Sequence, residues 1–226
     1  GRFSTFPILN QVFFENLAGK SWSEVTWKLG ANYHVNEDAL LYASYSRGYK
    51  AGGFAARQGS SYNPETVDAY EVGLKGQWAD NRVQTNLSLF YYDYKDKQEL
   101  QFFPPNAQFP NGGLQLINAA NATSYGAELE IQAKVSKAFR IDTSLSYLNA
   151  KYGTFIVRDV QFPALGFQDL AGNKLPLAPE MKFNFGAQYN VPLGSNSGEL
   201  MFRGDFSWTG EQFGNALNRD GRNLPA

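Results

Sequence analysis

The chain has 226 residues, 20 Lys and Arg against 21 Asp and Glu, one His, no Cys and a 15% aromatic content. Low charge with that much ring surface excludes a disordered chain, and near-neutrality removes the electrostatic footprint of a nucleic-acid binder. Without Cys there is no disulfide framework, thiolate metal site or Cys nucleophile, and no apolar run approaches the roughly 18 residues of a membrane-spanning helix.

The first twenty residues carry neither a basic n-region nor a cleavable apolar stretch, so no signal peptide is expected in them. From there the hydrophobic period is 2 rather than 3.6. A first strand sets Val25, Trp27, Leu29, Ala31, Tyr33 and Val35 against Thr26, Lys28, Gly30, Asn32 and His34. After Asn36-Glu37-Asp38, a second places Leu41, Ala43 and Tyr45 opposite Ser44, Ser46 and Gly48. Arg47 falls on its apolar side, which implies a bulge or emergence from the apolar zone. The third strand opposes Tyr70, Val72, Leu74 and Trp78 to Glu71, Gly73, Lys75 and Gln77, and Ala79-Asp80-Asn81 turns it. The fourth has Val83, Leu87, Leu89 and Tyr91 on one face, with Phe90, Tyr92 and Tyr94 on the other. The fifth alternates Tyr125, Ala127, Leu129, Ile131, Ala133 and Val135 with Ser124, Gly126, Glu128, Glu130, Gln132 and Lys134. The sixth, from Phe139 to Tyr147, keeps Arg140 and Asp142 on its polar side; the seventh, from Met181 to Val191, keeps Lys182 there. The eighth alternates Leu200, Phe202, Phe206 and Trp208 with Arg203, Asp205 and Ser207. Eight strands with one apolar and one polar face describe an all-β, antiparallel sheet.

The connections alternate too. Asn36 to Asp38, Ala79 to Asn81, Ser136 to Ala138 and Gly194 to Gly198 are short, whereas Ala51 to Asn63, Phe103 to Asn121 and Arg158 to Pro179 are long and rich in Gly, Pro, Asn and Gln. Short turns on one rim and long loops on the other are the arrangement of an up-and-down transmembrane β-barrel, with the long side extracellular. A soluble sandwich also alternates, but these strands hold their pattern for roughly 9–12 residues against an ordinary mode near 5–6. Trp27, Tyr70, Trp78, Tyr125, Tyr147, Tyr189 and Trp208 close the apolar stripes as an interface belt would. Lys28, Glu71, Lys75, Glu128, Glu130, Lys134, Lys182, Arg203 and Asp205 then line a watery or plugged lumen.

Five segments carry a family resemblance. Leu40-Leu41-Tyr42-Ala43-Ser44-Tyr45-Ser46-Arg47-Gly48-Tyr49-Lys50-Ala51-Gly52-Gly53-Phe54 resembles the barrel of TonB-dependent outer-membrane receptors. Asn63 to Lys75, Leu89 to Gln98, Asn118 to Glu130 and Leu145 to Tyr152 resemble the family's following segments in the same order, so the likeness covers about residues 25 to 215. The resemblance implies a 22-stranded barrel filled by an N-terminal plug whose TonB box recruits the energy-transducing TonB complex. It also implies a Gram-negative outer-membrane location, lipid and lipopolysaccharide contacts, and active uptake of a scarce solute such as a ferric siderophore or an oligosaccharide. No plug, TonB box or terminal aromatic residue after a last strand is found, so a fragment from the C-terminal half is expected. Two other readings compete: a complete eight-stranded passive barrel and a secreted carbohydrate-binding β-domain.

No enzyme chemistry, resident metal or cofactor is expected. Glu128 and Glu130 stand about 7 Å apart along a strand, a separation known from glycosidases, but lumen lining with Lys134, Lys182 or Arg203 as partners is the plainer reading. His34, the single histidine, lies beside a short turn, and neither a His-based triad nor a multi-His metal site can be built from it. The long loops offer Tyr62, Phe102, Phe103, Gln108, Phe109, Phe162, Phe167 and Gln168, rings and amides suited to gripping a small ligand or glycan.

Overall fold

A computed structural model describes residues 2–6, 11–15, 19–54, 61–103, 105, 112–159, 162–194, 198–219 and 223–224. Eight long strands run through them: β1 (Trp27–Asn36), β2 (Ala39–Lys50), β3 (Glu65–Trp78), β4 (Val83–Phe103), β5 (Gly113–Lys134), β6 (Phe139–Arg158), β7 (Met181–Pro192) and β8 (Glu199–Thr209). Each pairs antiparallel with its neighbour in sequence, giving one sheet in the order β1 to β8. Among the described residues β1 and β8 are paired on one side only.

The register explains why alternation specifies this sheet. Tyr33, Leu41, Leu74, Leu87, Leu129, Leu145, Phe183 and Trp208 stand in one row across all eight strands. A slip of one residue in β5 would throw Glu128 or Glu130 into that row, and slips in β3 and β7 would bring in Lys75 or Lys182. Arg47 needs no bulge, since β2 and β3 pair without interruption from Ala39 to Lys50. It lies six positions beyond Leu41, where the apolar zone has ended.

The short turns are built by side chains that satisfy backbone groups. Asn36 Oδ1 accepts from the Asp38 amide at 2.9 Å, and Ser136 Oγ accepts from the amides of Ala138 at 3.2 Å and Phe139 at 3.0 Å. Ala79, Asp80 and Asn81 all adopt left-handed φ values of 56, 55 and 62°, closed by the Arg82 amide donating to the Ala79 carbonyl at 3.2 Å. Asp and Asn tolerate that region; Ala79 is the strained member. Asn36 lies three positions past Tyr33 and Pro192 nine past Phe183, so the short-turn rim drops about one residue per strand. At ~3.4 Å per residue and ~4.8 Å per strand this is a tilt of about 35°, within the range of closed transmembrane barrels.

The long-loop rim differs from its sequence reading in one respect. The second loop was expected over Phe103 to Asn121, yet β4 continues to Phe103 and β5 begins at Gly113, leaving residues 104–112 between them. Beyond the apolar zone neither face must meet hydrocarbon, so the strands persist on backbone pairing while their alternation fades. Within the other loops, Gly53–Phe54 pairs Ser61–Tyr62, and Phe167–Asp169 adds three residues to the end of β6. The buried apolar cluster of Ala120, Ala122, Tyr152, Phe155, Val157 and Leu170 sits at this rim, above the two-faced part of the sheet.

Candidate functional site

At the long-loop rim the extended strands β4, β5 and β6 form a lobe. Register shifts between Tyr94 and Lys97 in β4 and between Tyr152 and Phe155 in β6 re-aim the side chains that follow. The loop after β6 folds back across the sheet: Tyr152 donates its amide to the Asn173 carbonyl at 2.9 Å and Leu170 donates to Phe155 at 2.8 Å. A further segment, residues 212–219, is stitched onto that loop. Asn218 acts as a substitute strand, its Oδ1 accepting from the Lys174 amide at 2.5 Å and its Nδ2 donating to the Lys174 carbonyl at 2.9 Å.

These layers form a half-open cavity of about 500 Å³, the size of a small-ligand site. Its wall is largely apolar, from Leu100, Leu114, Phe155, Val157 and Leu217, with Glu99, Arg158, Asp159 and Arg219 as charged points. Glu99 is fixed in place, accepting from Tyr152 Oη at 3.0 Å and from Lys97 Nζ at 2.5 Å. Burial, reinforced by the Glu99 carboxylate, pushes the Tyr152 hydroxyl well above its ordinary pKa, so it remains a donor at any physiological pH. Asp159 is buried and ion-paired with Arg219, whose guanidinium lies 4.7 Å from the centre of the Phe162 ring. This pair joins the loop after β6 to the segment after β8.

The ligand-contact residues read from the sequence scatter around this cavity. Phe162 packs on Arg219 outside the lining. Phe167 and Gln168 pair with Arg158 and Val157 at the sheet edge, Phe167 being exposed and the buried Gln168 Nε2 lacking a partner. Tyr62 faces Gly53 in the first loop. Phe102 and Phe103 end β4 rather than occupying a loop, and Gln108 and Phe109 lie outside the described residues. The lining side chains Leu100, Phe155 and Val157 were missed because they fall where the alternation breaks.

The face opposite the leucine row carries every side chain read as lumen-lining: Lys28, Glu71, Lys75, Glu128, Glu130, Lys134, Lys182, Arg203 and Asp205. Their partners differ from the expected ones. Tyr42 Oη donates to Glu71 at 2.6 Å while Lys75 Nζ lies 5.6 Å from the Tyr42 ring centre. Glu130 accepts from Asn86 Nδ2 at 3.3 Å. Arg203 forks onto Asp142 at 2.9 and 3.1 Å and also pairs with Asp205. Glu128 and Lys182 flank Ser146 from opposite sides, with its side chain between them. Gly73 has no side chain to obstruct the Tyr42 ring that lies against it.

On the leucine face, four positions towards the long-loop rim, Tyr45, Tyr70, Tyr91 and Tyr125 stand in register on adjacent strands. Tyr45 and Tyr70 stack with centroids 4.8 Å apart and Tyr91 follows at 6.4 Å. Correcting for the tilt, Trp27, Tyr147 and Trp208 continue this belt at one level, and Trp78 and Tyr189 join Tyr33, Phe139 and Phe202 at the other. Tyr70 and Trp78, eight residues apart, are separated by about 22 Å along the normal, close to the ~25 Å apolar band of outer-membrane barrels. Just beyond the upper belt, Arg47 grips buried Asp68 through Nε at 2.8 Å and Nη2 at 2.6 Å, and Tyr45 Oη donates to it at 3.0 Å. The guanidinium holds the Asp68 carboxyl below its usual pKa. Among the described residues no cluster of three or more His, Asp or Glu is placed to hold a metal, and no helix is long and apolar enough to cross a membrane.

Comparison with known proteins agrees with this geometry. The family described as TonB dependent receptor-like, beta-barrel, matches residues 2–226. The metal-pseudopaline receptor CntO of Pseudomonas aeruginosa is 25% identical over 142 residues, covering 63% of this chain and 19% of the relative. The ferrichrome outer membrane transporter/phage receptor of Escherichia coli K12 is 23% identical over 195 residues, covering 86% and 23%. Among solved structures, the ferric yersiniabactin uptake receptor FyuA from Yersinia pestis superposes with a TM-score of 0.65 at 20% identity over 87% of this chain and 27% of its own. The siderophore receptor PiuA from Acinetobacter baumannii gives 0.65 at 17% identity over 85% and 27%. The chain thus spans roughly a fifth to a quarter of the relatives it matches. With its open eight-stranded sheet, alternating faces and long-loop lobe, it belongs to the β-barrel family of TonB-dependent receptors, proteins of the Gram-negative outer membrane.

Proposed function

We propose that this chain forms part of the wall and extracellular vestibule of a receptor that takes up a metal-siderophore complex, driven by TonB acting on a plug domain elsewhere in the full protein. The half-open cavity of about 500 Å³ at the long-loop rim supports the reading: it is an apolar pocket with the carboxylates of Glu99 and Asp159 and the guanidinium groups of Arg158 and Arg219 on its wall, the composition of a small-ligand site. The relatives' names support the substrate class: they are receptors for metal-pseudopaline, ferric pyoverdine and catecholate siderophores. The leucine face meets lipid between the two aromatic belts, and the face bearing Glu71, Lys75 and Glu128 meets the plug and the passing solute. A self-closed eight-stranded barrel is disfavoured by β1 and β8, since unpaired strand edges cannot stand in hydrocarbon. Further strands of the same receptor complete the wall.

The test is iron-limited growth and uptake of labelled ferric siderophores by cells lacking the full receptor gene. Loss of uptake of one siderophore, reproduced by deleting TonB, is expected. Unchanged uptake of every ferric siderophore, with loss of an oligosaccharide instead, would refute the substrate class.

A further inference from the structure

The charged groups on the wall of the rim cavity are not equally satisfied. Asp159 and Arg219 are paired with each other. Glu99 is paired with Lys97, and both hydrogen bonds it receives, from Lys97 Nζ and from Tyr152 Oη, fall on Oε1. Its Oε2 accepts from nothing among the described residues, although a carboxylate has lone pairs for about four hydrogen bonds. Arg158 closes β6, its backbone held by pairing with Phe167 of the returning loop. Its guanidinium has neither an ion-pair nor a hydrogen-bond partner among the described residues. The two ion pairs cancel, so the positive charge left on the wall is that of Arg158. The cavity therefore presents an open acceptor from β4 and an open cation from β6 beside the apolar side chains of Phe155 and Leu217.

We propose that the cavity selects an amphoteric ferric chelate, one whose uncoordinated groups include a carboxylate for Arg158 and an ammonium for Glu99 Oε2, with its hydrocarbon against Phe155 and Leu217. The assignment rests on the uptake role given above and narrows the substrate class within it. Other chelates fail on the same two groups. A polyanionic catecholate complex satisfies Arg158 but sets its charge against Glu99. A neutral complex without donors displaces water from both groups and returns a partner to neither. The planar guanidinium matches a carboxylate in a bidentate pair, whereas a carboxylate oxygen receives an ammonium as a point charge.

Ferric tris-hydroxamates that differ at their ends supply the probes: ferrioxamine G, with a free amine and a free carboxylate; ferrioxamine B, with a free amine alone; and ferrioxamine E, a ring with neither. Binding to the full receptor in mild detergent is measured by quenching of tryptophan fluorescence, and TonB-dependent uptake by cells is followed in parallel. The expected order of affinity is ferrioxamine G, then B, then E, with about tenfold lost at each step. Arg158→Gln should weaken binding of ferrioxamine G about tenfold and that of B less than about twofold, whereas Glu99→Gln should weaken both about tenfold. Heat-modifiable migration checks that each variant is folded, and the order of the probes on the wild-type receptor decides the matter if a variant is not. Equal affinity for all the probes, binding of none, or equal losses of ferrioxamines G and B on Arg158→Gln would overturn the proposal. Uptake of a different ferric siderophore would then leave the transport role standing, whereas absence of TonB-dependent uptake of every ferric chelate would remove that role as well.

Discussion

Leu74 tests the two-faced reading most sharply, because its neighbour Lys75 supplies the control. Leu74 lies in the leucine row between Leu41 and Leu87, four positions from Tyr70 in one belt and four from Trp78 in the other. At about 3.4 Å per residue and a tilt near 35°, each belt is about 11 Å away along the normal, which places Leu74 at mid-bilayer. An arginine on the lipid face at that depth costs about 2–4 kcal/mol, or roughly 30- to 1,000-fold in the unfolding equilibrium, and the penalty falls to about 0–1 kcal/mol near the interface. Leu74→Arg should therefore lower the unfolding free energy of the full receptor in lipid vesicles by about 2–4 kcal/mol, read as a lower urea midpoint with the m-value unchanged, whereas Lys75→Arg on the opposite face should leave that free energy within about 0.5 kcal/mol. A graded series is expected as well, Leu74→Arg costing more than Tyr70→Arg. If Leu74→Arg costs no more than Lys75→Arg, the assignment of faces is wrong and the soluble-sheet reading returns.

Three further outcomes are expected. Tyr152→Phe removes the buried donor to Glu99 and should cost about 1–2 kcal/mol of local stability, read as faster amide exchange in β6 beyond Tyr147. Because the native Tyr152 titrates above its ordinary value, the contribution of that hydroxyl is fully present below about pH 10 and is lost as pH rises further, which exchange measured across alkaline pH will show. Asp68 is the opposite case: its native pKa is depressed by Arg47, so its contribution is present above about pH 4 and fades as pH falls through the native value. Asp68→Asn should remove that acid-dependent step from unfolding of the full receptor. Asp159→Ala should release the tie to Arg219 and make the loop after β6 sensitive to limited proteolysis in intact cells, with nicking confined to residues 160–179.

The eight strands and their faces were legible because hydrocarbon imposes one rule at every second residue, and a period of 2 survives any change among Leu, Phe and Val. The belt was only half legible. Tyr70 and Trp78 announce it along one strand, but Tyr45 and Tyr91 gain their meaning from register, which places them beside Tyr70 on neighbouring strands. The charged side chains expected on one face do share it, but their partners differ, since Arg203 reaches Asp142 across β7 at Gly186, where no side chain intervenes, while Ser146 of β6 stands between Lys182 and Glu128. The cavity was not legible at all. It arises where strand ends, a returning loop and residues 212–219 meet, none of which is bound by the alternation.

That division also accounts for a close likeness of fold at about one-fifth sequence identity. Between the belts, a residue is constrained by class alone: apolar towards lipid, anything hydrated towards the lumen, aromatic at the two interfaces. Leu87 can become Ile or Phe without disturbing the row, so identity decays while the sheet is retained. Beyond the belts the constraint is weaker still, and β4 and β6 each change register there, at Lys97 and at Phe155. Chemistry suited to a particular solute can therefore vary outward of those two positions without cost to membrane insertion. Under the proposed uptake role, substitutions at Lys97, Glu99, Phe155 and Arg158 and in the loops that cover them are expected to change ligand choice, and substitutions of the belt tyrosines are not.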